Sequence, residues 1–141
     1  MRQLKFRAWN TSAKQWQTDY SALDCNGNFL VKMSENSFDQ SDGVKLIFQQ
    51  YTGLKDKNGV EIYEGDVIAY TSHTKTLGDV YHRRVVEWHD EVARFSMHKI
   101  GKHTSDPKAN EYSLFKAEKM QKLEIIGNIY ENPELLEKSD V

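Results

Sequence analysis

Several features that would announce a chemistry are scarce or missing in this chain. Cysteine occurs once, at Cys25, so no disulfide can close within the molecule and a disulfide scaffold is excluded. Apolar runs are short, as at Leu46-Ile47-Phe48, against the roughly 20 residues that a membrane-spanning helix needs. The opening stretch MRQLKFRAW alternates charged with apolar residues and has no apolar signal-peptide core. A reducing cytoplasm is the expected setting, with no membrane partner. An excess of one charge is lacking too: 19 basic residues face 21 acidic ones, a formal net charge of -2, so the whole molecule does not attract phosphate backbones. No glycine-rich phosphate loop, nucleophile elbow or HExxH helix is present. Cys25 follows Asp24 and precedes an Asn-Gly turn, with no positive charge or helix N-terminus to activate a thiol. No catalytic residue and no cofactor is therefore assigned, and the chain is not expected to be an enzyme.

What is present suffices for one hydrophobic core. In 141 residues, 38% are hydrophobic and 28% charged, which predicts a folded chain and a single domain over 1–141. Leu4, Phe6 and Ala8 alternate with Lys5, Arg7 and Trp9, the period of a half-buried strand. Asn26-Gly27 predicts a hairpin over 21–33, residues 34–43 read as a loop, and Val44 to Tyr51 read as a strand. Asn58-Gly59 and Gly65 punctuate two short strands through Tyr70. Val85 to Met97 reads as a hairpin, with Glu87 opposite Arg94 and Val86 opposite Phe95. Residues 101–111 are polar and loop-like. A helix over 112–122 is suggested by Leu114, Ala117 and Met120, and Leu123 to Tyr130 is the last strand. Asn132 as N-cap and Pro133 at the first position predict a short C-terminal helix over 133–138. Many short strands with frequent turns predict a mainly β fold, a small barrel or sandwich, with Phe6, Ile47, Ile62, Val67 and Ile125 in its interior.

Three segments carry a resemblance: KFRAWN at 5–10, YTGLKDKNGVEIYEGDVI at 51–68 and IGNIYENPELL at 126–136. In them the chain resembles the YopX family of phage and prophage proteins. The resemblance implies a mainly β fold with a small SH3-like barrel, and a bacterial host cytoplasm. It implies no reaction, ligand or catalytic residue. Read physically, the middle motif is structural: Gly53, Gly59 and Gly65 suit turns, while Ile62, Val67 and Ile68 supply core side chains.

Candidate binding residues cluster in one window. Residues 73–103 hold all five histidines with Lys75, Arg83, Arg84, Arg94, Lys99 and Lys102, interleaved with Asp79, Glu87, Asp90 and Glu91. Arg83, Arg84, Arg94 and Lys99 are the residues that would meet phosphates, with Trp88 or Tyr81 stacking on bases. Strand parity puts His82 with Arg84 on one face and Arg83 with His89 on the other. The histidines lack the spacing of a zinc site. Asp56, Glu61, Glu64 and Asp66 lack the ligand order of a calcium loop and read as solvated acids. The aromatics Trp9, Trp16, Tyr51, Tyr63, Tyr70, Tyr81, Trp88 and Tyr130 are expected to fill the core, the alternative being an exposed rim that stacks bases or anchors a partner peptide. Three functional readings follow. The first is a non-catalytic module that binds another phage or host protein, or a second copy of itself as a homo-oligomer. The second is a nucleic-acid binder using 73–103. The third is an enzyme whose site assembles from distant segments.

The failure of every ligand pattern predicts a fold that needs no metal. Dialysis against a chelator is expected to leave the thermal melt unchanged; a loss of stability restored by zinc or calcium would contradict it.

Overall fold

A computed structural model describes residues 4–17, 20–23, 29–34, 37–39, 46–100, 111–114 and 122–137. The described elements are mainly antiparallel strands, and the chain divides into two compact units, Phe6–Gln49 and the pair of segments Met1–Lys5 and Gln50–Val141.

In the unit Phe6–Gln49, β1 (Phe6–Asn10) pairs with β2 (Gln15–Gln17). Asn10 explains the tight connection, because its Oδ1 accepts the backbone N–H groups of Ser12 at 3.0 Å and Ala13 at 2.8 Å. Trp9 lies opposite Trp16 and their rings meet edge to face at 5.0 Å. Arg7 spreads its guanidinium over Trp16 at 4.3 Å and donates from Nε to Gln49 Oε1 at 2.9 Å. The segment KFRAWN thus encodes a hairpin with its aromatic and cationic packing. β3 (Tyr20–Leu23), β4 (Phe29–Ser34) and β5 (Ser37–Asp39) form a separate sheet in that order.

The second unit begins in the later half of β6 (Leu46–Lys55), which pairs with β7 (Glu61–Tyr63) and sets Tyr51 opposite Tyr63. A turn at Glu64-Gly65 leads into β8 (Asp66–Thr74), followed by β9 (Gly78–His89), β10 (Arg94–Lys99), β11 (Glu111–Ser113) and β12 (Glu124–Asn128). These five form one antiparallel sheet in the order β11-β10-β9-β8-β12. Residues directly opposite in an antiparallel pair share a face. Ile68 and Tyr70 of β8, Val86 of β9, and Phe95 and Met97 of β10 therefore line one face, where they pack with Ile62, Leu114 and Leu123 as the core. The opposite face also buries Val67, Val85 and Ser96.

Two aspartates fasten this unit. Asp66, 1% exposed, accepts the Tyr63 N–H at 2.8 Å and the Asn128 side-chain amide at 3.2 Å, so it joins the end of β7 to the end of β12. Asp56 closes the Asn58-Gly59 turn by accepting the N–H groups of Asn58 at 2.8 Å and Val60 at 2.9 Å through Oδ1. Its Oδ2 accepts the Ile125 N–H of β12 at 3.2 Å. Near the C-terminal turn, a Cβ on Gly127 would come within 2.5 Å of Leu135 Cδ1 and 2.6 Å of Asn132 Oδ1, so any larger residue there would displace these two side chains.

Several expectations hold and several are corrected. The mainly β class, the hairpin of β3 and β4 and the positive-φ turns at Gly59 and Gly65 agree with the sequence reading, whereas Gly53, also at positive φ, lies within β6 where its pairing with β7 shifts register. Ile62 and Val67 are fully buried, whereas Phe6, Ile47 and Ile125 are only half-buried. Asp56 and Asp66 are buried rather than solvated, because each receives backbone donors that would otherwise lie unsatisfied. Residues 37–39 form a strand where a loop was expected, since backbone pairing with β4 tolerates polar residues. In the β9–β10 hairpin Glu87 faces Ser96, and Val86 faces Met97. Pairing there runs on to His89 opposite Arg94, and a 3-10 turn at Asp90–Val92 ends at Ala93 with φ 49. Glu111, expected in a loop, and Tyr112 and Ser113, expected in a helix, belong to β11; residues 115–121 of that expected helix lie outside the described residues, as do Cys25 and residues 101–110 of the expected loop. The C-terminal helix is a 3-10 turn, Pro133–Leu136. The Asn132 side chain does not cap it; Oδ1 instead accepts the Asn128 N–H at 3.3 Å.

Burial pushes the Asp56 carboxyl up, but the backbone donors of Val60, Ile125 and Asn58 together outweigh burial and hold it below the ordinary aspartate value. A folded-state value below the unfolded one gives stability that is present above the unfolded value and is lost as pH falls through the folded one. Asp56→Ala is expected to cost about 1–3 kcal/mol at neutral pH, because three part-buried N–H groups lose their acceptor. The gap between parent and variant is expected to narrow below about pH 4. Chemical denaturation at several pH values checks this; a constant gap down to pH 2 would contradict the clasp.

Candidate functional site

The register of β8, β9 and β10 decides which of the basic residues come together. Arg84 lies directly opposite Lys99 and next to Ile68 on the core face. Arg84 is only 3% exposed, and its Nε donates to the Tyr70 hydroxyl at 2.8 Å. The Tyr70 ring stacks on His82 at 4.8 Å, and His82 Nε2 shares a 2.6 Å hydrogen bond with Ser72 Oγ. The result is a polar row, Arg84–Tyr70–His82–Ser72, along one face of the sheet. Burial, and then the charges of Arg84 and Lys99, hold the His82 imidazole below its ordinary value. Two cations opposite one another are unfavourable by themselves, and a neutral His82 keeps a third charge from joining them.

The other expected residues lie elsewhere. Arg83 occupies the opposite face, half-buried, with one terminal nitrogen donating to the Glu137 carbonyl at 3.3 Å. Arg94 is on that same opposite face and exposed. Trp88 is on the core face, 37% exposed, and packs edge to face on Phe95 at 5.0 Å. The five expected residues thus divide between two faces, Arg84, Trp88 and Lys99 on the core face and Arg83 and Arg94 on the opposite one. Of the histidines, His73 bonds Asp79 at 2.8 Å in solvent, His89 and His98 meet at 6.0 Å, and His103 lies outside the described residues. No group of three His, Cys, Asp or Glu side chains among the described residues is placed to hold a metal ion.

Among the described residues the exposed large apolar side chains are Leu4, Val60, Leu77, Tyr81, Trp88, Val92 and Leu136, and two of the most exposed, Leu77 and Tyr81, belong to the β8–β9 hairpin. The pairing of β8 with β9 continues from Tyr70 opposite His82 to Thr74 opposite Gly78, past the last rungs described for β12 and β10. Along these rungs Thr71, His73, Asp79 and Tyr81 share one face and are all exposed, while Ser72, Val80 and His82 on the other are half-buried. Tyr81 is 62% exposed, and Leu77 in the connecting turn is 75% exposed. Sequence reasoning named Tyr81 as a base-stacking ring and as one of the aromatics that fill a core or form a rim, and it missed Leu77, because a single leucine in the polar stretch TKTLGD carries no periodic signal.

The match to the YopX protein family model covers residues 5–137, and the chain belongs to that family. It is also similar to the crystal structure of protein EF1440 from Enterococcus faecalis. The two share 29% sequence identity and a TM-score of 0.65, over 97% of this chain and 100% of that one. No curated protein matches the chain significantly.

Two outcomes follow from the split of the basic residues. Arg84→Ala is expected to lower stability by about 1.5–3 kcal/mol through the lost charged hydrogen bond, and Arg83→Ala to stay within about 0.5 kcal/mol, both read by denaturant unfolding. Equal effects would contradict the assignment of faces. Because the folded state protonates His82 less readily than the unfolded chain does, this group's contribution is present above the ordinary histidine value and is lost as pH falls from there through the lowered folded-state value. Lys99→Ala is expected to move the His82 titration upward in an NMR pH series; an unmoved curve would remove Lys99 as a cause.

Proposed function

We propose that this YopX-family protein is a non-catalytic binding module, an accessory phage or prophage protein of the host cytoplasm. It docks another phage or host protein, or a second copy of itself, through the β8–β9 hairpin. The observation that carries the reading is the joint exposure of Tyr81 and Leu77 on one hairpin. An open tyrosine ring is the kind of amphipathic anchor that protein interfaces use. The surrounding side chains mix charges and neutral groups: Thr71 is uncharged, His73 is paired with Asp79, and Lys75 is the one Lys or Arg of the turn. The rigid pairing of β8 and β9 down to Thr74 opposite Gly78 would present the two side chains with little ordering cost. An SH3-like barrel is the form proposed for the five-stranded sheet; a crystal structure in which β11 and β12 fail to close on one another would exclude it.

The paired substitution Leu77→Ser and Tyr81→Ser tests the docking, since both side chains are exposed and the melt is expected to hold. Light scattering across the micromolar range is expected to give a mass above the monomer for the parent and a monomer for the variant if the partner is a second copy. For a different partner, co-purification from phage-infected cells under mild salt is expected to recover a protein with the parent and lose it with the variant. A folded variant that keeps the parent's partner would rule out the hairpin. A parent that is monomeric and recovers nothing would rule out the docking reading itself.

A further inference from the structure

We draw no further inference here: the strongest candidate, the half-buried side-chain cluster of His89 and His98 beside Glu87 on the face of β9 and β10 opposite the core cluster, carries nothing, because no three such side chains among the described residues are set to hold a metal ion and nothing in the structure shows what else would occupy it.

Discussion

A buried carboxylate is costly unless it receives enough donors, and the unit that begins at Gln50 is organised around meeting that requirement twice. Asp66 takes the Tyr63 N–H and the Asn128 amide. Asn128 in turn accepts the Tyr130 N–H at 3.0 Å, so the bend after β7 and the end of β12 are held through one chain of bonds. Asp56 does the same for the Asn58-Gly59 turn and the start of β12. Lys57 adds to that seam, with its N–H donating to the Leu123 carbonyl at 2.8 Å and its ammonium 2.7 Å from Glu124. The ammonium contact is exposed and worth little; the buried backbone bonds carry the attachment.

Fixing β12 against β8 has consequences along the sheet. With Ile125 opposite Ile68, the strand parity of β8 is set, and every later rung of β8 and β9 inherits it. Arg84 is thereby committed to the core face and Arg83 to the opposite one. The same parity turns Tyr81 and Thr71 outward together. A shift of one residue in this pairing would exchange the two sets, burying Tyr81 and Arg83 and expelling Arg84 and His82. The proposed docking surface and the Tyr70–His82 row are two sides of one register.

The three YopX segments are explained mainly by structure. KFRAWN builds the β1–β2 hairpin through Asn10, Trp9 and Arg7. The middle segment contains Asp56, Gly59, Gly65 and Asp66, which form the turns and their clasps. IGNIYENPELL contains Gly127, Asn128 and Asn132, where β12 meets the 3-10 turn. The exposed Leu77 and Tyr81 lie outside all three segments. The shared motifs thus account for the scaffold, and the proposed docking surface belongs to the sequence between them.

Local chemistry alone determined much of the fold. Apolar alternation marked the strands, and Asn-Gly and Gly65 marked the turns, because glycine's tolerance of positive φ is a property of one residue and needs no neighbour. The mainly β class followed from those signals. Register did not: placing Glu87 opposite Arg94 satisfied a local charge rule, yet Glu87 faces Ser96 because the 3-10 turn at Asp90–Val92 closes the hairpin differently. Nor did the sequence distinguish Asp56 and Asp66 from the surface acids Glu61 and Glu64. A carboxylate becomes a buried clasp only when backbone donors distant in the chain, such as the Ile125 N–H, arrive beside it. The window 73–103 read as one basic region because sequence proximity ignores the two faces of a strand. Tertiary pairing alone decided that Arg84 is interior and Tyr81 exterior, since exposure depends on what packs against each face.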